Sequence, residues 1–391
     1  MSRLSSTLLG QTVGFALVCV AMLIFGCRVT VAQVQSSVTL YGLVDIGFAY
    51  QTRQAGDDPS VFVNPGRTRS QFAMASGQQS GSRWGIKGVE DLGRGVRISF
   101  VYESGVAVNT GASSGFTRQA TLGVSSDAWG DLAMGRRVSP STEAFADIDP
   151  FEFSFGQASL TTSMGSTFIR LSNLVAYTSP TLNGVTAYGG WSFDTGLRNL
   201  NSPQTAGTFG TSNKFRALSL GLRYEAQRLL IAGTYDTYYS PAGRQASAVK
   251  QWNVGATYDL TTFKLHAAYG QNTDGLVNGP GALANLETTG GDTNTNGAVL
   301  YLPGARTNQW MIGLTAPVGA ASHLLLSIQQ QRPGGRFNTR YRSNQTAYSI
   351  GYTYRFSTRT NVYAFYSHLQ APDMFEQASA QDIGVGIRHK F

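Results

Sequence analysis

The chain has 391 residues, a formal net charge of +8 and only 13% Asp, Glu, Lys and Arg, against roughly 25% in ordinary soluble domains. Forty-six glycines and 11% aromatics accompany that deficit, while mean hydropathy is slightly negative at −0.12. A helical membrane protein is far more apolar, and a disordered chain is more charged and less aromatic. What remains is apolar area dispersed among small polar residues, as many alternating strands require.

The N-terminus reads as a secretory leader. Arg3 supplies a sparse basic start, residues 13–27 form an apolar run, and Thr30-Val31-Ala32 precede an expected cut at Gln33. The run falls short of the ~20 residues a spanning helix needs. A lipoprotein site at Gly26-Cys27 would put the bulky Phe25 where a small residue belongs. This predicts a signal peptide over 1–32 and a single domain over 33–391. Both cysteines, Cys19 and Cys27, fall in the leader, so no disulfide, Cys-ligated metal or cofactor is expected in the rest. That rest carries 28 basic and 22 acidic residues, scattered singly, with no Lys/Arg run of the kind that binds nucleic acid.

Beyond residue 32, period-2 alternation recurs. Val38, Leu40, Val44, Ile46, Phe48 and Tyr50 share one face of the first segment, opposite Thr39, Asp45, Gly47 and Ala49. Tyr348, Ile350, Tyr352, Tyr354 and Phe356 alternate with Ser349, Gly351, Thr353 and Arg355. About sixteen such segments are predicted. The first eight are 37–50, 82–91, 94–105, 116–126, 130–138, 171–179, 183–194 and 215–225. The rest are 228–238, 250–260, 262–271, 307–317, 321–331, 345–356, 360–370 and 381–391. Each approaches the ~9–11 residues with which a tilted strand crosses a bilayer, and the total is even. Short connections (Asp91-Leu92-Gly93, Thr181-Leu182, Thr261, Ser357-Thr358) interleave with long polar ones (51–81, 139–170, 195–214, 272–306), and 272–306 reads as a solvent-exposed loop. The fold expected is all-β, a transmembrane barrel.

A secreted soluble β protein would alternate too. Here, however, aromatics recur near the ends of the apolar faces (Tyr50, Trp84, Trp191, Tyr224, Tyr258, Tyr269, Trp310, Tyr354), as interfacial girdles do. The apolar faces also carry few charges. An Arg facing lipid at mid-bilayer costs about 2–4 kcal/mol, and Arg83, Lys87, Lys264, Arg355 and Arg388 fall on the opposite face by parity. An enzyme is not expected: His266, His323, His368 and His389 lie in separate strands without a catalytic partner.

Several motifs, in order and spacing, resemble the Gram-negative general porins, especially the betaproteobacterial branch of Neisseria, Bordetella and Burkholderia relatives. They are Ser37-Val-Thr-Leu-Tyr-Gly-Leu-Val-Asp45, Gly81-Ser-Arg-Trp-Gly-Ile-Lys-Gly-Val-Glu-Asp-Leu-Gly93 and Tyr102-Glu-Ser-Gly105. Arg118-Gln-Ala-Thr-Leu-Gly-Val124, Met134-Gly-Arg136, Asn173-Leu-Val-Ala-Tyr-Thr-Ser-Pro180 and Gly386-Ile-Arg-His-Lys-Phe391 continue the series. The resemblance implies a 16-stranded antiparallel barrel in the outer membrane, a homotrimer, with its third external loop folded into the lumen. It implies passive diffusion of ions and small hydrophilic solutes. A substrate-specific channel and a surface adhesin are the alternatives. Outer-membrane lipid, lipopolysaccharide and the outer-membrane assembly machinery are the implied partners.

The family opposes wall arginines to acidic residues on that loop. The matching basic positions are Arg83, Arg136 and Arg170, with Lys87 beside Arg83. Arg136 shares nominal parity with Leu132 and Met134, so an inward placement needs a bulge or the strand's end. The third loop, about 139–170, opens with Ser139-Pro140, an N-cap and a first-turn Pro, with Glu143 following. It departs from the enteric porins, carrying Pro150-Phe-Glu-Phe-Ser-Phe-Gly156 instead of Pro-Glu-Phe-Gly-Gly. Of its carboxylates, Asp147, Asp149 and Glu152 are favoured to face the arginines over Glu143. With the outer-loop arginines Arg332, Arg336, Arg340 and Arg342, a modest anion preference is expected. Phe391, closing a strand whose Ile383, Val385 and Ile387 share its face, is the expected assembly signal.

Overall fold

The computed structural model describes residues 37–59, 64–199, 214–241, 248–278, 287–288, 291–292, 298–335 and 343–391. The expected leader, 1–32, lies outside them, as do Arg336, Arg340 and Arg342.

Sixteen antiparallel staves follow one another in chain order around a closed sheet. The first eight are β1 (Ser37–Gln54), β2 (Arg83–Gly93), β3 (Val96–Ala107), β4 (Gln119–Ser126), β5 (Gly130–Val138), β6 (Arg170–Thr178), β7 (Val185–Ser192) and β8 (Arg216–Ala226). The others are β9 (Leu229–Tyr239), β10 (Ala248–Asp259), β11 (Lys264–Asn278), β12 (Ala298–Val318), β13 (Ser322–Gly335), β14 (Gln345–Arg355), β15 (Thr360–Gln370) and β16 (Ser379–Lys390). The ring closes where β16 returns to β1, from Leu43 opposite Lys390 to Gln54 opposite Ser379. Closure removes the unpaired edges that an open sheet exposes.

Successive side chains on a strand point to opposite faces, so alternation in sequence becomes an outside and an inside. On β14, Tyr348, Ile350, Tyr352 and Tyr354 are exposed outward, whereas Ser349 and Gly351 are buried inward. On β1, Val38, Leu40 and Phe48 face out while Asp45 is fully buried. The apolar residues therefore coat the barrel, and the small polar ones line its lumen.

Three stretches read from sequence as loops contain strand; among the described residues of 195–214 it is only Arg198–Asn199, which pairs in parallel with Ala298–Val299 of β12. Within 51–81, Thr68–Ser76 pairs with the upper half of β1, from Ile46 opposite Ser76 to Gln54 opposite Thr68. Residues 77–82 then fold inward before β2 resumes at Arg83, opposite Leu43. The extension of β1 past Tyr50 leaves backbone groups that need a partner; only Phe72 and Met74 supply outward apolar residues there, too few to betray a strand. Within 272–306, β11 runs on to Asn278 and β12 begins at Ala298. Their register shifts between Thr273 and Gly275. Gly275 permits this, with φ of +149° and room for no Cβ, since one would lie 2.0 Å from the Leu300 carbonyl oxygen.

The β5–β6 connection turns into the lumen. Ser139 caps helix α1 (Pro140–Phe145), its Oγ accepting from the Thr142 N–H at 3.2 Å, with Pro140 in the first turn. Three short 3₁₀ turns, Gly156–Ala158, Leu160–Thr162 and Gly165–Phe168, lead to β6.

Candidate functional site

The infolded loop lies along one side of the lumen because it carries its own apolar face. Phe145, Ile148, Leu160 and Met164 pack with Leu230, Ala232, Ala268 and Met311, and Phe151, Phe155 and Ala158 pack with Leu325, Tyr363 and Phe365. Inward glycines give it room. A Cβ at Gly255 would come within 2.7 Å of Ile148 and Phe145, and one at Gly313 within 2.6 Å of Pro150. Wall amides then hold the loop backbone. Gln329 Nε2 donates to the Ala158 and Ser159 carbonyls at 3.2 and 2.9 Å, and Gln345 Nε2 donates to the Thr162 carbonyl at 2.6 Å. Gln251 Oε1 accepts from the Ser166 N–H at 3.1 Å. At the tip, the Phe155 N–H donates to the Gln78 carbonyl at 2.8 Å, joining the loop to the inward turn 77–82. The loop is strapped against the β8–β15 wall and leaves its passage against β1–β6.

That passage is a cavity of about 640 Å³. The wall side presents Arg83, Arg118 and Arg170, with Arg388 and Lys390 beside them and Glu103 among them; the loop side presents Glu152, Phe153 and Phe168. Register brings the wall residues together. Gly105 lies opposite Arg83, and Glu103 lies between Gly85 of β2 and Gln119 of β4. Glu103 accepts from Arg118 Nε at 2.7 Å, sits 3.5 Å from Arg83 Nε, and accepts from the Tyr41 hydroxyl at 3.1 Å. The Arg170 guanidinium lies over the Phe168 ring, 4.9 Å from its centroid. Five cations thus face two carboxylates around this passage, and one carboxylate is already shared between two arginines.

The expected residues separate into distinct environments. Arg83 and Arg170 line the passage, and so does Glu152. Lys87 lies farther down β2, its ammonium 5.4 Å from the centre of the Tyr41 ring, and is not among the lining residues. Arg136 follows a register shift between Gly135 and Arg137, yet its Nε donates to the Thr117 carbonyl at 2.5 Å and its Nη1 to Ser172 Oγ at 2.8 Å. It ties the rim of the wall, and neighbouring Arg137 meets the loop through Glu143 while also pairing with Asp131 of its own strand.

The loop carboxylates diverge as well. Asp147 pairs with Arg223 of β8 at 2.6 Å, away from Arg83. Asp149 is 2% exposed and turned into the loop, accepting from the Phe151, Phe153 and Leu160 N–H groups at 2.9, 3.0 and 2.8 Å and from Ser159 Oγ at 3.3 Å. Burial nevertheless pushes its carboxyl up to about 6. Burial also raises Glu143, against the pull of Arg137. Asp149 organises the turn that puts Glu152 and Phe153 in left-handed backbone conformation, φ of 52° and 54°, and so aims this tip into the passage.

Glu103 and Arg118 were not singled out from sequence as site residues, although both stand in the motifs quoted above. Their meeting depends on cross-strand register, which alternation within one strand does not specify.

A family model described as Gram-negative porin matches residues 18–373. An outer membrane porin protein of Bordetella pertussis is 35% identical over 378 residues, covering 92% of this chain and 96% of that one. An anion-selective porin from Comamonas acidovorans superimposes with a TM-score of 0.67 at 23% identity, covering 91% of this chain and all of the other. A trimer form of OmpT, an outer membrane protein of Vibrio cholerae, superimposes at 0.58 with 15% identity, covering 91% and 99%. With its closed barrel, apolar outer coat and wet, charged lumen, the chain belongs to the Gram-negative porin family, an outer-membrane channel for passive diffusion and not an enzyme.

Proposed function

We propose that this channel favours anions, with the selective element in the gap between Arg83, Arg118 and Arg170 on the wall and the Glu152-Phe153 tip of the loop. The observation that carries this reading is the charge around the 640 Å³ passage: five cations against two carboxylates, with Glu103 committed to Arg83 and Arg118. Small polar solutes orient between opposed charges in a narrow wet aperture, and an excess of one sign biases which ions pass. The name of the Comamonas relative, an anion-selective porin, agrees with it. Reversal potentials of the reconstituted channel in a salt gradient test the reading; clear cation selectivity sinks it.

The same reading takes the channel as a homotrimer, as the trimer form of the Vibrio protein supports. It is exported by its 1–32 leader and handed to the assembly machinery through its terminal strand and Phe391. Among the described residues no ladder of aromatic side chains lines the passage, where Phe153, Phe155 and Phe168 all stand on the loop side, so general diffusion is favoured over a dedicated sugar channel. Arg332 and its neighbouring loop arginines remain candidates for lipopolysaccharide phosphates, and a surface adhesin role is the alternative that absence of conductance would support.

A further inference from the structure

Below the loop, toward the short-turn end, the lumen opens into a second cavity of about 420 Å³. It shares Arg388, Lys390 and Glu152 with the constriction and adds Lys264, Arg355 and Arg359. Register groups these cations. Arg355 of β14 stands opposite Asn361 of β15, which stands opposite Arg388 of β16. Two strand spacings, roughly 10 Å, therefore separate the two arginines. At the rim the Lys390 N–H donates to the Arg359 carbonyl at 2.8 Å, so those two residues are neighbours.

The cations keep donors to spare. Arg388 donates from Nε to Asn361 Oδ1 and from Nη1 to Ser80 Oγ, both at 2.9 Å, and Arg355 donates to the Ala320 carbonyl at 3.4 Å. None of the five cations forms an ion pair among the described residues. The nearby carboxylates are largely spoken for: Asp147 pairs with Arg223, and Asp149 is saturated by its own loop. Among the described residues, Glu152 alone of the lining carboxylates faces the space without an ion pair. A single exposed cation does little for a monovalent ion, but several within reach of one solute act together, and arginine forks match carboxylate and phosphate oxygens.

We propose that this lower cavity binds small multivalent oxyanions, holding a di- or tricarboxylate between Arg355, Arg359 and the Arg388–Lys390 pair after it clears the constriction. The site rests on the anion preference proposed above, since a channel that excluded anions would not fill it. Citrate, at a pH where it is a trianion, serves as the probe, with chloride current through the reconstituted channel as the readout. Saturable reduction of the current is expected. The double substitution Arg355→Gln with Arg359→Gln is expected to raise the half-blocking concentration about tenfold. Its reversal potential is expected to stay on the anion side, because Arg83, Arg118 and Arg170 are untouched. If the double variant does not insert, the single substitution Arg359→Gln, in the short turn and with an expected rise of about threefold, decides the question. Citrate that fails to reduce the current of an anion-selective wild type, or reduces it equally in the variants, overturns the site. A cation-selective wild type overturns the reading beneath it, and the salt gradient reports that without citrate.

Discussion

The ring of Phe391 lies over the backbone of Gly42. The two residues exchange backbone hydrogen bonds, each N–H donating to the other's carbonyl at 3.1 Å, and a Cβ on Gly42 would fall 2.2 Å from the far edge of the ring. Phe391 thus extends the ladder between β16 and β1 and covers a spot that only glycine leaves open. Phe391 remains 49% exposed, on the outer face with Ile383, Val385 and Ile387.

Gly42→Val should therefore act like a mutation of Phe391 itself. Any side chain there must displace the aromatic ring, and overpacking of this kind costs about 1–3 kcal/mol. The expected outcome is a lower yield of folded, heat-modifiable barrel, matched by Phe391→Ala, with export unchanged. Normal yield from both variants would show that neither the seat nor the ring matters for closure.

Glu103 makes the constriction less positive than its arginines alone would. Replacing it by Gln keeps a partner for the Tyr41 hydroxyl and for Arg118 but removes one negative charge. At the effective dielectric of a wet pore, one unit charge a few ångströms away is worth about 1 kcal/mol, so the anion-to-cation permeability ratio should rise about three- to fivefold. Arg118→Gln should lower it by a similar factor. Reversal potentials that move the same way in both variants would contradict this assignment.

The alternation of β14 and β16 and the Ser139-Pro140 cap are legible because each depends on residues close in sequence. The Arg83–Glu103–Arg118 cluster is not, since it exists only once three strands have taken their register. Asp149 and Glu152 show a subtler limit. They stand three residues apart with the same chemistry, but the left-handed backbone at Glu152 and Phe153 sends one into the passage and leaves the other buried. Thr68–Ser76 was obscured for a different reason, its outward face being built from just Phe72 and Met74.

The carboxyl of Asp149 offers a pH test. Its native value is raised from 3.8 to about 6, so the native state holds a proton that the unfolded chain has lost across that interval. The associated stabilisation is full below about pH 4 and is lost as pH rises through about 6, a change on the order of 3 kcal/mol. Infrared difference spectra should show a protonated carboxyl disappearing near pH 6, and Asp149→Asn should abolish that signal. Asparagine also turns a donor toward N–H groups that need an acceptor, so the same variant should loosen the loop at neutral pH. A carboxyl that titrates near 4 at this position would refute the burial argument.

Gln329 provides the sharpest test of whether the constriction is rigid. Its amide donates to two loop carbonyls and its Oε1 accepts from Ser163 Oγ at 2.7 Å, so a single wall side chain holds three loop groups. Gln329→Leu preserves bulk but leaves those groups without their partner, at about 1–3 kcal/mol for each that stays dry. The apolar anchors at Phe151 and Leu160 are untouched, so the loop should remain in the lumen while its central turns gain freedom. The expected single-channel record is one of unchanged ion preference with added open-channel noise, because the arginines of the opposite wall have not moved. Gly313→Val, which crowds Pro150 from the same side, should add noise by pushing instead of releasing. A quiet Gln329→Leu channel would mean that apolar packing alone fixes the loop, and that the amide straps settle its register without limiting its motion.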